Sequence, residues 1–153
     1  MGSDLRDQLV KALERDGRPS SDYDLNPDLS LPDGRKLRQA SVLVPIVESD
    51  SGAQLILTMR APSLKHHPGQ IAFPGGKADE DDNGPVETAL REAEEEIGLL
   101  GTNVNALGCL PAHETVTGFV VTPVLGLISH EIQPRVEDGE VAEVFSVPLG
   151  HVL

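Results

Sequence analysis

FPGGKADEDDNGPVETALREAEEEIGL, residues 73–99, carries the clearest secondary-structure signal in this chain and its densest chemistry. Pro85 suits a first helical turn, Asn83 or Gly84 can precede it as cap, and Gly98 follows the last apolar position. These residues bracket a helix of about three to four turns, because proline presets the angle of a first turn and glycine accepts the left-handed backbone that ends one. At about 100° per residue, Val86, Ala89, Leu90, Ala93 and Ile97 fall on one side, which must face a core. Glu92, Glu95 and Glu96 stand at i, i+3 and i+4 and project together from an adjoining face. Glu87 and Glu94 point to solvent.

The arrangement is locally costly. Three carboxylates at neighbour spacing repel one another, and Glu94, Glu95 and Glu96 sit in the last turns, where the helix dipole already places partial negative charge. Arg91, four residues before Glu95, relieves part of this. Clustered hard oxygen donors suit Mg²⁺ or Mn²⁺, which would turn the repulsion into a ligand set. By itself the helix is equally compatible with a solvated acidic face, as most charge runs are. Ahead of it, Ile71-Ala72-Phe73 alternates and Pro74-Gly75-Gly76 ends the run. Two glycines permit close backbone approach, so a Gly-Gly turn can offer a peptide carbonyl to the same cation; alone it reads as an ordinary tight turn.

Taken together, these residues resemble the Nudix box, G-x5-E-x7-R-E-U-x-E-E-x-G-U with U aliphatic, the mark of hydrolases acting on a nucleoside diphosphate linked to another moiety. Arg91-Glu92-Ala93-Glu94-Glu95-Glu96-Ile97-Gly98-Leu99 fits its second half, with Ala93 in the first aliphatic place. Counted from Gly76, the early acid is Asp82 in place of glutamate, and eight residues separate it from Arg91 where the pattern has seven.

One branch of that family shares the departure. Coenzyme A pyrophosphatases show a pattern close to L-L-T-x-R-S-x-x-L-R-x-H-x-G-Q-V-x-F-P-G-G-x-x-D-x-x-D-x5-T-A-L-R-E-A-x-E-E-I-G-L. This chain is similar from Leu55 to Leu99 without a gap, through Thr58, Arg60, Leu64, Lys65, His67, Gly69-Gln70, Phe73-Pro74-Gly75-Gly76, Asp79, Asp82 and Thr88-Ala89-Leu90. Ala61 stands where serine is usual, Lys65 where arginine is usual and Ile71 where valine is usual. The resemblance implies an α/β/α sandwich with a mixed sheet, in which the box forms a loop-helix-loop metal site. It implies Mg²⁺- or Mn²⁺-dependent hydrolysis of coenzyme A or an acyl derivative to 3′,5′-ADP and 4′-phosphopantetheine or its acylated form. Glu92, Glu95, Glu96 and the Gly76 carbonyl are the expected metal ligands, with Arg91 as the orienter of Glu95 through an i, i+4 ion pair. The segment holding Arg60, Lys65, His67 and Gln70 is the expected coenzyme A recognition element; without the family pattern it reads as a solvated loop. Adjacent His66 and His67, with no cysteine nearby, make a weak transition-metal pair. For the general base, Glu95, Glu114, Glu137 and Glu140 are candidates, Glu140 leading the loop residues because it immediately precedes an apolar strand.

Composition narrows the alternatives. The 153 residues suit one domain, and with only 3% aromatic residues the core must be aliphatic. A net charge of −13 argues against nucleic acid as an electrostatic partner and would also repel a polyanionic substrate, so bound metal and a few local cations must overcome the overall field. Cys109 is the only cysteine, which excludes an intrachain disulfide and agrees with a reducing cytoplasm. Between Gly108 and Leu110 it reads as a buried small hydrophobe, not a nucleophile. No apolar run reaches the roughly 20 residues that span a bilayer, and the N-terminus lacks a signal-peptide pattern. The expected partner is thus a small molecule, with no nucleic acid and no membrane.

Residues 1–36 read as an N-terminal helix, apolar at Leu5, Leu9, Val10 and Leu13, and a Pro/Asp/Ser/Gly-rich loop packed on a Nudix domain spanning 37–153. Ala40 to Val47 and Gln54 to Met59 form a hairpin about the turn residues Glu48 to Gly52. Val104 to Ala112 and Thr117 to Ile128 are further strands, the second bent or near an edge because of Pro123, with His113-Glu114-Thr115 as a turn between them. Val141 to Val147 resumes as strand, and Pro148 opens a last helix, with residues expected beyond Leu153 to complete it. Two other readings stay open: the same chemistry on ADP-ribose, a dinucleoside polyphosphate or a nucleoside triphosphate, and a non-catalytic metal- or nucleotide-binding module.

Overall fold

Two long apolar runs lie side by side at the centre of the molecule. The computed structural model describes residues 7–11, 20–21, 37–49, 52–60, 70–115, 118–128 and 141–148. Its strands are β1 (Ser20–Ser21), β2 (Arg38–Ser49), β3 (Gly52–Arg60), β4 (Ile71–Ala72), β5 (Gly75–Lys77), β6 (Val104–Cys109), β7 (His113–Glu114), β8 (Phe119–Ile128) and β9 (Val141–Pro148). The helix α1 spans Pro85–Ile97, and a short 3-10 turn covers Gly101–Asn103. β2 and β8 pair in parallel from Arg38↔Phe119 to Val47↔Ile128. On the far side of β2 lie β5 and β3, on the far side of β8 lie β7 and β6, and β9 pairs β3. Most ladders are antiparallel, while β2/β8 and β1/β7 are parallel, so the sheet is mixed.

Alternation along β2 explains why both faces are covered. Leu43 and Val47 project to one side with Val124 and Ile128 of β8, where they meet Ala89, Ala93 and Ile97 of α1. Ile46 projects to the other side with Leu55, Leu125 and Leu127, and Leu9 from the helical residues 7–11 packs there. A strand buried on both faces must be apolar nearly throughout, as VLVPIV in β2 is. The α/β class is therefore as expected, and no described helix is long and apolar enough to cross a membrane.

Several local expectations change. The β2/β3 ladder runs on through Glu48↔Ala53 to Ser49↔Gly52, so the connection is tighter than the turn composition implied. Strand β8 is interior despite Pro123, flanked by β2 on one side and by β6 and β7 on the other. The reason is geometric. A strand residue turns its N–H and C=O to the same side; Pro123 C=O accepts from Leu110 N–H at 2.8 Å, so the missing donor faces the gap between the end of β6 and the start of β7. His113 and Glu114 belong to that short strand and not to a turn, and Gly118 N–H donates to the Thr115 carbonyl. Pro148 ends β9 opposite Gln54, and the helix expected after it lies outside the described residues. Cys109 is exposed at the end of β6; its thiol is still partly desolvated, which pushes its pKa up and disfavours a nucleophilic thiolate. In the N-terminal segment, the expected loop contributes the two-residue strand β1, which pairs β7.

Candidate active site

The helix begins and ends where its punctuation residues place it. Gly84 caps α1 at φ 144, Pro85 follows, and Gly98 closes it in the left-handed region at φ 69, with cap N–H bonds to Ala93 and Glu94 carbonyls. Ala89, Ala93 and Ile97 are fully buried, and their small or aliphatic side chains seat the helix on the sheet. That seating turns the neighbouring stripe, Glu92 and Glu96, toward β5.

Gly75 and Gly76 form a strand where a turn was expected. Both belong to β5, paired with Val42 and Ser41 of β2, and neither has positive φ. They are glycine because of what approaches them. A Cβ on Gly75 would clash with the Ser41 carbonyl and lie 2.7 Å from Val42 Cα, while one on Gly76 would fall 2.6–2.8 Å from the Glu92 carboxyl group. Glu92 thus occupies the volume that any other residue at position 76 would fill.

The ladder also decides where the peptide groups point. Leu43 N–H donates to the Pro74 carbonyl at 2.8 Å and Ala78 N–H to the Gln39 carbonyl at 2.9 Å. Ser41 and Gly76 lie midway between those pairs, so theirs is a hydrogen-bonded pair and the Gly76 carbonyl faces β2. Gly75 and Lys77 present their peptide groups to the outer edge, and α1 meets them there. Gly75 N–H donates to Glu96 Oε2 at 3.1 Å, and Arg91 Nη2 donates to the Lys77 carbonyl at 2.9 Å. Side chains of α1 take the place of a neighbouring strand.

Arg91 is held differently from the expected single pair with Glu95. Its Nε and Nη2 grip both oxygens of Asp82 at 3.2 and 3.1 Å, and its Nη1 donates to Glu92 Oε1 at 3.0 Å. Glu95 is reached only at 3.4 Å, and its side chain is 58% exposed. The Asp82 side chain is 5% exposed and also accepts from Thr88 Oγ1 and Asp79 N–H, both at 2.8 Å. The Arg91 guanidinium and the Asp79 amide hold the Asp82 carboxyl at about 2, against an ordinary 3.8, and Asp82 in turn raises Arg91 further above its normal range. Glu92 moves the other way: burial of its 17% exposed side chain raises its pKa, outweighing the adjacent Arg91. Asp82 and Thr88 are the site residues that sequence reasoning missed; the offset acid of the box pattern was the available signal.

Among the described residues, no three carboxylate, imidazole or thiolate groups converge into a metal cage. Two carboxylates with a backbone carbonyl at a strand edge nevertheless suit Mg²⁺ or Mn²⁺, since Mg²⁺ usually takes one or two protein carboxylates and keeps sites for water and phosphate. The Glu92 carboxyl is crowded over Gly76, and its raised pKa comes first from burial, with the like charges of Glu95 and Asp79 adding to it. Gln70 is exposed beside β4, and Arg60 ends β3 opposite Val141. Glu114 lies on β7, opposite Val120. Lys65, His66, His67, Glu137 and Glu140 fall outside the described residues.

A groove of about 640 Å³ lined by Pro85, Val86, Leu90, Glu94 and Gly101 lies on the back of α1, away from Glu92 and Glu96. A smaller cavity of about 200 Å³ sits between β2 and the helix start, lined by Gln39, Ser41, Asp82 and Thr88.

Residues 37–152 match the family model described as NUDIX domain. A curated relative from Pectobacterium atrosepticum, named uncharacterized Nudix hydrolase NudL, is 50% identical over 112 residues, covering 73% of this chain and 58% of the relative. The chain thus spans less than two thirds of that relative's length. The crystal structure of a Nudix hydrolase from M. smegmatis, RenU, is similar with a TM-score of 0.65 at 24% identity, covering 90% of this chain and 83% of that one. A C. elegans Ap4A hydrolase complex is similar with a TM-score of 0.63 at 17% identity, covering 74% of this chain and 82% of that one.

Proposed function

The chain belongs to the Nudix family, and from that premise we propose that it is a pyrophosphohydrolase of coenzyme A or an acyl derivative. The reaction adds water across the P–O–P bridge, which breaks to give 3′,5′-ADP and 4′-phosphopantetheine or its acylated form, with release of two protons once both new monoesters are fully ionised. The observation that carries the hydrolase reading is the pairing of Glu92, lodged over Gly76, with Glu96, hydrogen-bonded to Gly75, at one strand edge.

A phosphoanhydride resists attack because its charged oxygens repel nucleophiles. A divalent cation, Mg²⁺ or Mn²⁺, supplies when bound the positive charge that those oxygens require and acidifies water. Glu92 and Glu96 would hold it, with Glu95 from the rim. The backbone ligand is assigned to the outward Gly75 carbonyl in place of Gly76, whose carbonyl is directed into the sheet. Arg91, gripped by Asp82, positions Glu92 and ties the 77–82 loop to the helix. Glu95, exposed beside the cluster, is the described candidate for taking the proton from water, and Glu140 is its alternative.

Substrate choice rests on the continuous pattern from Leu55 to Leu99, in which Arg60, Lys65, His67 and Gln70 would contact coenzyme A. Arginine and lysine are suited to phosphate oxygens, the first bidentately and the second as a point charge. The net charge of −13 and the single cysteine favour a small-molecule substrate in a reducing cytoplasm over nucleic acid or a membrane. The test is a panel of coenzyme A, acyl-coenzyme A, ADP-ribose, dinucleoside polyphosphates and nucleoside triphosphates with each metal, with products identified by mass. Cleavage of coenzyme A at the pyrophosphate supports the proposal; preference for another member reassigns the substrate. Binding without cleavage of any member makes the chain a non-catalytic module.

A further inference from the structure

On the face of the sheet opposite α1, two cations each lie about 6 Å from the centre of one aromatic ring. The guanidinium of Arg38 lies 6.0 Å from the centroid of Phe119 and the Lys77 ammonium 5.8 Å from it. The strand register explains the convergence. Arg38 is opposite Phe119 across the β2/β8 ladder, and Lys77 is opposite Ala40 on the other side of β2, two residues from Arg38. Residues directly opposite share a face, and so do residues two apart, so all three side chains rise from one side of the sheet.

The patch is unusual for this chain. Acids outnumber Lys and Arg by 25 to 12, yet among the described residues neither Arg38 nor Lys77 forms an ion pair; the described ion pairs all centre on Arg91. Both side chains are exposed. A single cation over a ring is explained by the ring's negative face, but a second one adds repulsion between like charges. A phosphate dianion bound to both would offset their like charge and accept from each, bidentately from Arg38. Phe119 restrains the two side chains in advance, which lowers the ordering cost of binding.

Placement ties this patch to the hydrolytic site. Lys77 follows Gly75 and Gly76 on β5, and two residues along a strand span roughly 7 Å. The same short strand therefore offers its outer edge to the Glu92 and Glu96 carboxylates and, through Lys77, a cation to the opposite face. We propose that Arg38 and Lys77 form a phosphomonoester site that reads a second phosphate on the nucleotide half of the substrate. This deepens the coenzyme A reading and rests on it for the identity of that phosphate; the patch itself is outside the segment carrying Arg60 and Lys65.

The experiment has two arms. In the first, calorimetry compares 3′,5′-ADP, 5′-AMP and inorganic phosphate on the whole chain and on the Arg38→Gln/Lys77→Gln double variant, with circular dichroism confirming folding. The expected result is binding of 3′,5′-ADP about tenfold or more tighter than of either other probe, as loss of charge-assisted bonds implies, with that advantage abolished in the variant. Equal binding of the probes by the unaltered chain overturns the site, as does an advantage that survives the double substitution. In the second arm, the ratio of kcat/KM for coenzyme A to that for dephospho-coenzyme A is measured, and it should fall at least tenfold in the variant; an unchanged ratio overturns the proposal. If the unaltered chain cleaves neither compound, the hydrolase reading fails while the calorimetry still decides the phosphate site.

Discussion

The two ends of the box helix treat charge in opposite ways. At the start, Asp79, Asp82, Thr88 and Arg91 form a clamp in which donors and acceptors match: one guanidinium spans two oxygens of a nearly buried carboxylate, which also receives a hydroxyl and an amide. At the end, Glu92, Glu95 and Glu96 gather three carboxylates, with one side of Arg91 donating to Glu92 and Glu95 and the Gly75 amide to Glu96. Two carboxylates that share Arg91 therefore shift in opposite directions, Asp82 down and Glu92 up. A matched network stabilises its charges without help, whereas a cluster of like charges favours a bound cation. By this comparison the first end is scaffold and the second is where the proposed metal site lies.

Removing charge from the second end gives the largest expected effect. Glu96→Gln should keep the fold and the acid-unfolding profile while lowering turnover by about two or more orders of magnitude, since a metal ligand can contribute several kcal/mol to transition-state stabilisation. Near-normal kcat in that variant would break the comparison at its functional end. Next comes Gly76→Ala. Its new methyl would fall 2.6–2.8 Å from the Glu92 carboxyl atoms, so that side chain must move. Displacing a ligand from its supported position should weaken Mn²⁺ affinity on the order of 10–100-fold, as losing an outer partner does, readable by titration with Mn²⁺. Unchanged affinity would mean that the cradle over Gly76 does not position the ligand.

How much of this was readable beforehand depends on the range of the interaction involved. Pro85 and Gly98 act through their own backbone angles, so the helix limits followed from local composition, and the carboxylate stripe followed from helical period. Gly75 and Gly76 were different: glycine serves both turns and close approaches, and only the non-local pairing with Ser41 and Val42 distinguishes them. Pro123 misled for the same reason, because its missing donor is harmless only where β6 gives way to β7. Asp82 sits nine residues before Arg91, across an irregular loop whose course no periodicity describes. Cys109 looked buried by its apolar neighbours, yet strand ends lose cover that strand centres keep.

The clamp end should respond to acid in a direction that can be worked out. Asp82 titrates at about 2 when folded and near 3.8 otherwise, so its contribution to stability is complete above the higher value and disappears as pH falls through the lower one. Thermal unfolding followed from pH 6 to pH 2 should therefore show a decline between about 4 and 2 that Asp82→Asn flattens, along with a lower Tm at neutral pH. An asparagine variant with the same acid limb as the unaltered chain would show that the Arg91 pair does not stabilise the fold.

The smallest effect tests whether the clamp is one network or a set of separate bonds. Thr88 is fully buried, and its hydroxyl donates to Asp82 at 2.8 Å with the Gly84 carbonyl also near, at 3.2 Å. Thr88→Val preserves shape and removes that donor, which should cost about 1–2 kcal/mol, because a buried acceptor loses a partner. If the clamp is cooperative, the loss should be smaller when Asp82 is already asparagine than when it is aspartate, and a double-mutant cycle in urea measures the difference. Additive losses would mean that Thr88 supports the helix start independently. The ion pair alone would then tie the loop to α1, and the matched end of the helix would be simpler than its hydrogen-bond pattern implies.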